Sequence, residues 1–171
     1  MCGDTNRPTI GGTIAVLFPQ ESRRPSSRSS EASLSSSSES ISSFASSSTA
    51  SMSSYTLFFR DADATARKTR AIFRTEDPET YNTLRSHGNV DMRIEKSGDL
   101  SASPQPSSPL YQFSLDLKQH KYSRSAHPTE MEFELPERLD LGVSEKGVIG
   151  RQVTVREQGG SILGIGIVGY N

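Results

Sequence analysis

The chain has 171 residues, of which 19 are basic and 20 acidic, so its formal net charge is −1 at pH 7. Only 32% of the residues are hydrophobic, below the roughly 45–50% typical of globular domains, which indicates a folded part diluted by a polar one. Nucleic-acid binders usually carry a strong positive field, so the balanced charge argues against nucleic acid as a partner.

The number of cysteines and the length of the apolar runs indicate in which cellular compartment the protein is expected. Cys2 is the single cysteine and excludes an intrachain disulfide, whereas small secreted domains commonly depend on such bonds. The apolar run at 14–18 is far too short for a signal-peptide core or a membrane span. We therefore expect an intracellular, cytoplasmic protein that is not secreted, and peripheral contact with a membrane stays open.

The N-terminal third divides into two segments. Residues 22–54 contain 19 serines in 33 positions, too little apolar surface to offset an ordering cost of about 1–2 kcal/mol per residue, so disorder is predicted there. Residues 1–21 form an N-terminal arm in which 13–18 reads as a short strand. That strand either docks on the main domain or binds another protein, and the sequence leaves both open.

Residues 55–171 carry the alternating pattern of a β domain, with a proline- and serine-rich loop at 101–109. Apolar and polar side chains alternate as in antiparallel strands with one buried face. The apolar positions of the three clearest runs are Val90, Met92 and Ile94; Tyr111, Phe113, Leu115 and Leu117; and Met131, Phe133 and Leu135. A hairpin at Gly159-Gly160 closes the chain. The expected fold is mainly β, a small antiparallel sandwich or curled sheet of about six strands.

One short helix is predicted at 78–87. Asp77 is a good N-cap, Pro78 suits the first helical position, and Gly88 can end the helix. The segment at 68–75 fits two kinds of secondary structure. A strand with Ala71 and Phe73 inward is favoured there, and a helix starting at residue 62 is the alternative.

A basic cluster in that segment is the best candidate contact for an anionic partner such as lipid head groups, phosphorylated peptides or RNA. It consists of Arg67, Lys68, Arg70 and Arg74. The alternative is a solvated face neutralised by nearby acidic side chains, namely Asp61, Asp63, Glu76 and Asp77. The three glutamates of the run at 130–134 are interpreted as a solvated face that also discourages edge-to-edge pairing.

Several serines match short kinase patterns. Ser26 follows Arg23-Arg24-Pro25, Ser36 lies three positions before Glu39, and Ser103 and Ser108 each precede proline. Each phosphate would add about −1.5 to −2 charge, so these four serines are candidate phosphorylation sites.

The last strand offers a candidate assembly face. Gly164 and Gly166 are expected to share one face, with Leu163, Ile165 and Ile167 on the other, so that a backbone or an aromatic ring can approach the glycines closely. We do not expect a dinucleotide site at this glycine-rich run, because such a site needs a helix that begins at the glycines and only Tyr170 and Asn171 follow in this sequence.

No catalytic, metal or cofactor site is predicted. His87, His120 and His127 lack the pair spacing of zinc ligands, and the Asp61-x-Asp63 pair lacks the glycine and glutamate of a calcium loop. We therefore expect a non-enzymatic protein-interaction or assembly module with a phosphorylatable arm, which binds a protein partner or itself. The alternative is a peripheral membrane or matrix-type structural protein, and a small-ligand-binding β domain or enzyme is favoured least.

Overall fold

The computed structural model describes residues 12–20, 52–62, 68–100, 108–119 and 128–171. Within these ranges the chain forms eight strands and one helix: β1 (Thr13–Leu17), β2 (Tyr55–Asp61), β3 (Thr69–Arg74), α1 (Pro78–His87), β4 (Asn89–Ile94), β5 (Tyr111–Asp116), β6 (Glu130–Glu134), β7 (Gln152–Glu157) and β8 (Ile162–Tyr170).

The strands form one antiparallel sheet in the order β5-β4-β7-β8-β1-β2-β3-β6. This sheet curls into a nearly closed barrel whose terminal strands are β5 and β6. The prediction of a mainly β chain with one short helix is confirmed, but the expected number of about six strands is wrong, because eight pair within the described residues.

The early strand whose docking the sequence left open is β1, and it lies inside the sheet. Its residues pair with β2 on one side, where Ala15 faces Leu57, and with β8 on the other, where Ala15 faces Val168. The sheet therefore includes residues on both sides of the serine-rich segment. The segment at 68–75, for which both a strand and a helix were considered, contains the strand β3. Its Ala71 and Phe73 are buried as expected.

Alternation along the strands builds the core. Every strand places alternate side chains inside the barrel, and nearly all of these are apolar. Tyr55, Phe73 and Phe133 form a run of ring contacts there, with Tyr55 stacked on Phe73 and Phe73 edge-on to Phe133. Because one face of each strand is dry, a slip of one residue would expose the whole inner set, so the hydrophobic pattern fixes the register.

The helix α1 begins and ends where the sequence predicted. The side chain of Asp77 accepts hydrogen bonds from the backbone amides of Glu79 and Thr80, which satisfies two amides of the first turn. Gly88 follows the last turn with φ of +70°. Leu84 is the apolar side chain that the helix buries in the barrel core.

The two ends of the barrel are covered differently. At the end where β2 begins, Thr80 of α1 accepts a hydrogen bond from the amide of Ser53. At the opposite end, residues 136–150 bring Leu139 and Val148 into the core, and the amide of Leu139 donates to Thr69 Oγ1. The helix and residues 136–150 therefore cover the ends of the barrel, whereas the exposure of its outer face depends on the side chains that lie there.

One further property bears on membranes. In the part of the chain that the structure describes, no helix has the length and apolar character needed to cross a bilayer.

Candidate functional site

The basic cluster lies on the outer face of β3, but it faces an acidic strand. β3 pairs with β6 so that Arg70, Ile72 and Arg74 lie opposite Glu134, Glu132 and Glu130. Three ion pairs cross the two strands: Lys68–Glu134, Arg70–Glu132 and Arg74–Glu130, which we call the ion-pair ladder. Arg67, the fourth residue of the predicted cluster, lies outside the described residues.

Burial rises steadily along this ladder. The side chains of Lys68 and Glu134 are 50% and 36% exposed, whereas those of Arg74 and Glu130 are 34% and 3% exposed. An exposed pair contributes little because water screens it, while a buried carboxylate depends on its partner. The ladder therefore holds β6 to β3 most firmly at the Arg74 end, and it neutralises the cations there.

Two of the four acidic residues that were expected to neutralise the cluster have other partners. Asp61 pairs with Arg138, and Asp77 caps α1. Asp63 lies outside the described residues. The partners of the cations are instead the glutamates of β6, so the interpretation of those glutamates as merely solvated is corrected: Glu130 is buried and hydrogen-bonded to Arg74.

Two of the outer arginines also cover an aromatic ring. Phe58 points outward from β2, yet it is only 7% exposed. The guanidinium of Arg74 lies 4.8 Å from its ring centroid and that of Arg60 lies 5.6 Å away, both within cation–π range. On the β2–β3 side, the outer apolar surface is therefore covered by the protein itself.

The β1–β8 side differs, because large apolar side chains there stay in contact with solvent. Val16 is 43% exposed and Phe18, which bridges to Ile165 of β8, is 59% exposed. Ile14, Ile165 and Ile167 are partly exposed around them. We call these five residues the outer apolar face. Sequence reasoning missed it, although the unbroken apolar run at 14–18 is typical of a strand that is apolar on both sides.

The glycines predicted as an assembly face lie inside the barrel instead. A Cβ atom on Gly164 would stand 2.5 Å from Tyr55 Oη, and one on Gly166 would stand 3.1 Å from Leu17 Cδ2. Both pair with residues whose side chains lie in the core, Gly164 with Val155 and Gly166 with Val153. A β-bulge follows, because Arg156 pairs with Ile162, and the extra residue Leu163 is buried as well. Both glycines are buried and are not available to a partner.

Tyr55 brings a polar group into the apolar interior. Its hydroxyl is buried and has no hydrogen-bond partner among the residues that the structure describes. Burial raises the pKa of this phenol far above its usual value near 10, because the phenolate would lose its hydration. Gly164 has no side chain, and this leaves room for the ring of Tyr55. Tyr55 is therefore a packing residue whose phenol stays neutral.

Of the predicted phosphorylation sites, the structure describes Ser108. It is exposed, and the ammonium of Lys96 donates a hydrogen bond of 3.3 Å to its Oγ. Ser26, Ser36 and Ser103 lie outside the described residues, as does Cys2.

A polar cavity of about 310 Å³ lies beside the C-terminal end of α1. Its polar lining includes His87, whose Nδ1 lies 3.2 Å from a carboxylate oxygen of Glu157, together with Asp116 and Lys118. None of its lining residues is a serine, threonine or cysteine. His120 and His127 lie outside the described ranges, and within those ranges no three His, Cys, Asp or Glu side chains are grouped to hold a metal ion.

Comparison with known proteins adds no relative. No family model matches the chain, and no curated protein is significantly similar to it. The class that fold and surface define is an antiparallel, nearly closed β barrel with an ion-pair ladder on one flank and an exposed apolar face on the other.

Proposed function

We propose that this chain is a non-enzymatic protein-interaction or assembly module, and that the outer apolar face is its contact surface. The observation that carries this proposal is the exposure of Val16 and Phe18, at 43% and 59%, on a strand in the middle of the sheet. Contiguous apolar side chains on a folded surface commonly mark a site of protein association.

The outer apolar face contrasts with its surroundings. Phe58, on the neighbouring strand, is covered by Arg60 and Arg74, whereas Phe18 projects from the end of β1 with more than half of its surface exposed. Burying such a side chain against a partner would stabilise the complex by roughly 1.5–3 kcal/mol. Aromatic anchors of this kind dominate many interfaces.

The outer apolar face is also separable from the core. Val16 and Phe18 point away from the barrel, while the side chains of Ala15 and Leu17, which alternate with them along the chain, lie in its interior. Polar substitution at the two outer positions should therefore leave the fold in place, and this allows association and folding to be tested independently.

The peripheral-membrane interpretation draws less support. Anionic lipid would have to compete for Lys68, Arg70 and Arg74 with the glutamates that already pair with them. Neutral ladders of this kind offer little long-range attraction to an acidic surface. Binding to anionic vesicles that Lys68→Gln and Arg70→Gln abolish would nevertheless favour that function over ours.

The experiment compares the native size of the full chain in extracts of cells that express it. We expect the wild-type chain, 18.6 kDa as a monomer, to elute in a larger complex, and the double variant Val16→Ser/Phe18→Ser to elute as a monomer. Val143→Ser is the matched control, since Val143 is 70% exposed but lies outside the outer apolar face.

Two results would contradict the proposal. One is a wild-type chain that elutes as a monomer, and the other is a double variant that keeps the larger complex. Thermal unfolding of the purified variants shows whether a lost complex reflects lost folding, because both variants should keep a cooperative transition close to that of the wild type.

A further inference from the structure

Ser108 lies in the connection between β4 and β5, and its side chain contacts Lys96. The Nζ atom of Lys96 already donates to Ser108 Oγ at 3.3 Å, although the two residues are 12 positions apart. Pro109 follows the serine, and the serine side chain is exposed. The hydroxyl is thus accessible, and a cation is aimed at it.

The backbone around Lys96 is firmly held. The amide of Glu95 donates to the carbonyl of Gln152 at 2.8 Å, and the amide of Gln152 donates to the carbonyl of Ser97 at 3.0 Å. The carbonyl of Lys96 itself accepts a hydrogen bond from the guanidinium of Arg151. Because residues on both sides are fixed to β7, the ammonium of Lys96 is presented from a rigid base rather than from a free loop.

We infer that Ser108 is a phosphorylation site for a proline-directed serine/threonine kinase, and that Lys96 holds the resulting phosphate. The kinase transfers the γ-phosphoryl group of ATP: the bond to ADP breaks, a bond to Ser108 Oγ forms, and the hydroxyl proton passes to the base of the kinase. The ammonium of Lys96, which now donates to a neutral hydroxyl, would then face phosphate oxygens and form an ion pair in which both partners are charged, which is shorter and stronger.

The pair should alter two measurable properties of the phosphoprotein. A dianionic phosphate beside an ammonium keeps its charge to lower pH, so the second pKa of the phosphoserine should fall below its usual value near 6. The added pair should also raise the midpoint of thermal unfolding by about 2 °C. The shift is small because an exposed ion pair stabilises a protein only slightly, and the same stabilisation moves the midpoint less in a chain of this length than in a shorter one.

The test treats the purified full chain with a proline-directed kinase and Mg-ATP, and maps the phosphate by mass spectrometry. We expect Ser108 to be labelled, and Ser108→Ala to lose that label. In a ³¹P NMR titration, the second pKa of phosphorylated Ser108 should be lower in the wild type than in Lys96→Gln by about 0.3 pH units. Lys118→Gln, which removes an exposed lysine elsewhere, should titrate as the wild type does.

Each part of the inference can fail separately. Label confined to other serines, with Ser108 unmodified, would overturn the modification site. An unchanged phosphate titration in Lys96→Gln would overturn the role of the lysine. Neither result bears on the outer apolar face, because these measurements involve no partner.

Discussion

The guanidinium of Arg74 hydrogen-bonds the carboxylate of Glu130, which is the most buried of the three glutamates on β6. β6 is a terminal strand of the sheet and has β3 as its sheet neighbour. This contact therefore joins the last strand to the barrel at the point where water screens the two charges least.

The ion-pair ladder predicts a gradient of stability effects. Glu130→Gln leaves Arg74 beside a neutral amide and should lower the free energy of unfolding by about 1–3 kcal/mol. Glu134→Gln, at the exposed end, should lower it by less than about 1 kcal/mol. Urea denaturation measures both. Equal losses at the two positions would contradict a ladder whose strength follows burial.

The unsatisfied hydroxyl of Tyr55 predicts that its removal costs little. Because the buried Oη has no partner within the described ranges, Tyr55→Phe should leave the free energy of unfolding unchanged or raise it by up to about 1 kcal/mol. Tyr111→Phe is the matched control, since its hydroxyl donates to the carbonyl of Lys146 at 3.1 Å, and that variant should lose about 0.5–1 kcal/mol. A Tyr55→Phe variant less stable than Tyr111→Phe would mean that the buried hydroxyl has a partner.

The inward position of Gly164 predicts strong intolerance of a side chain. Gly164→Ala places a Cβ atom 2.5 Å from Tyr55 Oη and should lower the free energy of unfolding by about 1–3 kcal/mol through overpacking. Gly169→Ala is the control on the same strand, because its Cβ would stand 3.8 Å from the nearest atom, the carbonyl oxygen of Ile14. Chemical denaturation compares the two. Equal losses of stability in the two variants would contradict the inward position of Gly164.

The N-cap of α1 predicts a dependence of stability on pH. The hydroxyl of Thr80 and the amides of Glu79 and Thr80 bond the carboxylate of Asp77, and they hold its pKa below the usual value. A depressed pKa means that the contribution is present above the unfolded-state pKa near 3.9 and is lost as the pH falls through the folded-state value.

Asp77→Ala should therefore be less stable than the wild type at pH 6, and the difference should shrink as the solution is acidified toward pH 2. Asp77→Asn keeps an N-cap acceptor without a titrating group, so it should stay closer to the wild type at neutral pH. Thermal unfolding across this range gives the comparison. A wild-type advantage over Asp77→Ala that grows on acidification would contradict the sign.

Local signals in the sequence were sufficient for much of the fold. Asp77, Pro78 and Gly88 marked the ends of the helix, because capping depends on neighbours within a few residues. The strict alternation after residue 89 marked the strands in the same way, since the period of two is a property of each strand alone. These features needed no knowledge of which strands pair.

The pairings themselves could not be derived from such signals. Arg74 and Glu130 are 56 positions apart, and no local pattern links β3 to β6 across two intervening strands. The same limit applies to Gly164, because its inward position follows from pairing with Val155, whose side chain lies in the core, and no local pattern shows that pairing. For the outer apolar face, the run at 14–18 showed apolar residues on both sides, but only the sheet order revealed which of them lie outside.

The most direct test of the account is site-specific photo-crosslinking in cells that express the full chain. The photoreactive residue p-benzoylphenylalanine replaces Phe18 in one variant and Val143 in the other. We predict light-dependent adducts with a protein, either a second copy of the chain or another chain, from position 18 and not from position 143. The absence of adducts from position 18 above the level at position 143 would contradict the account.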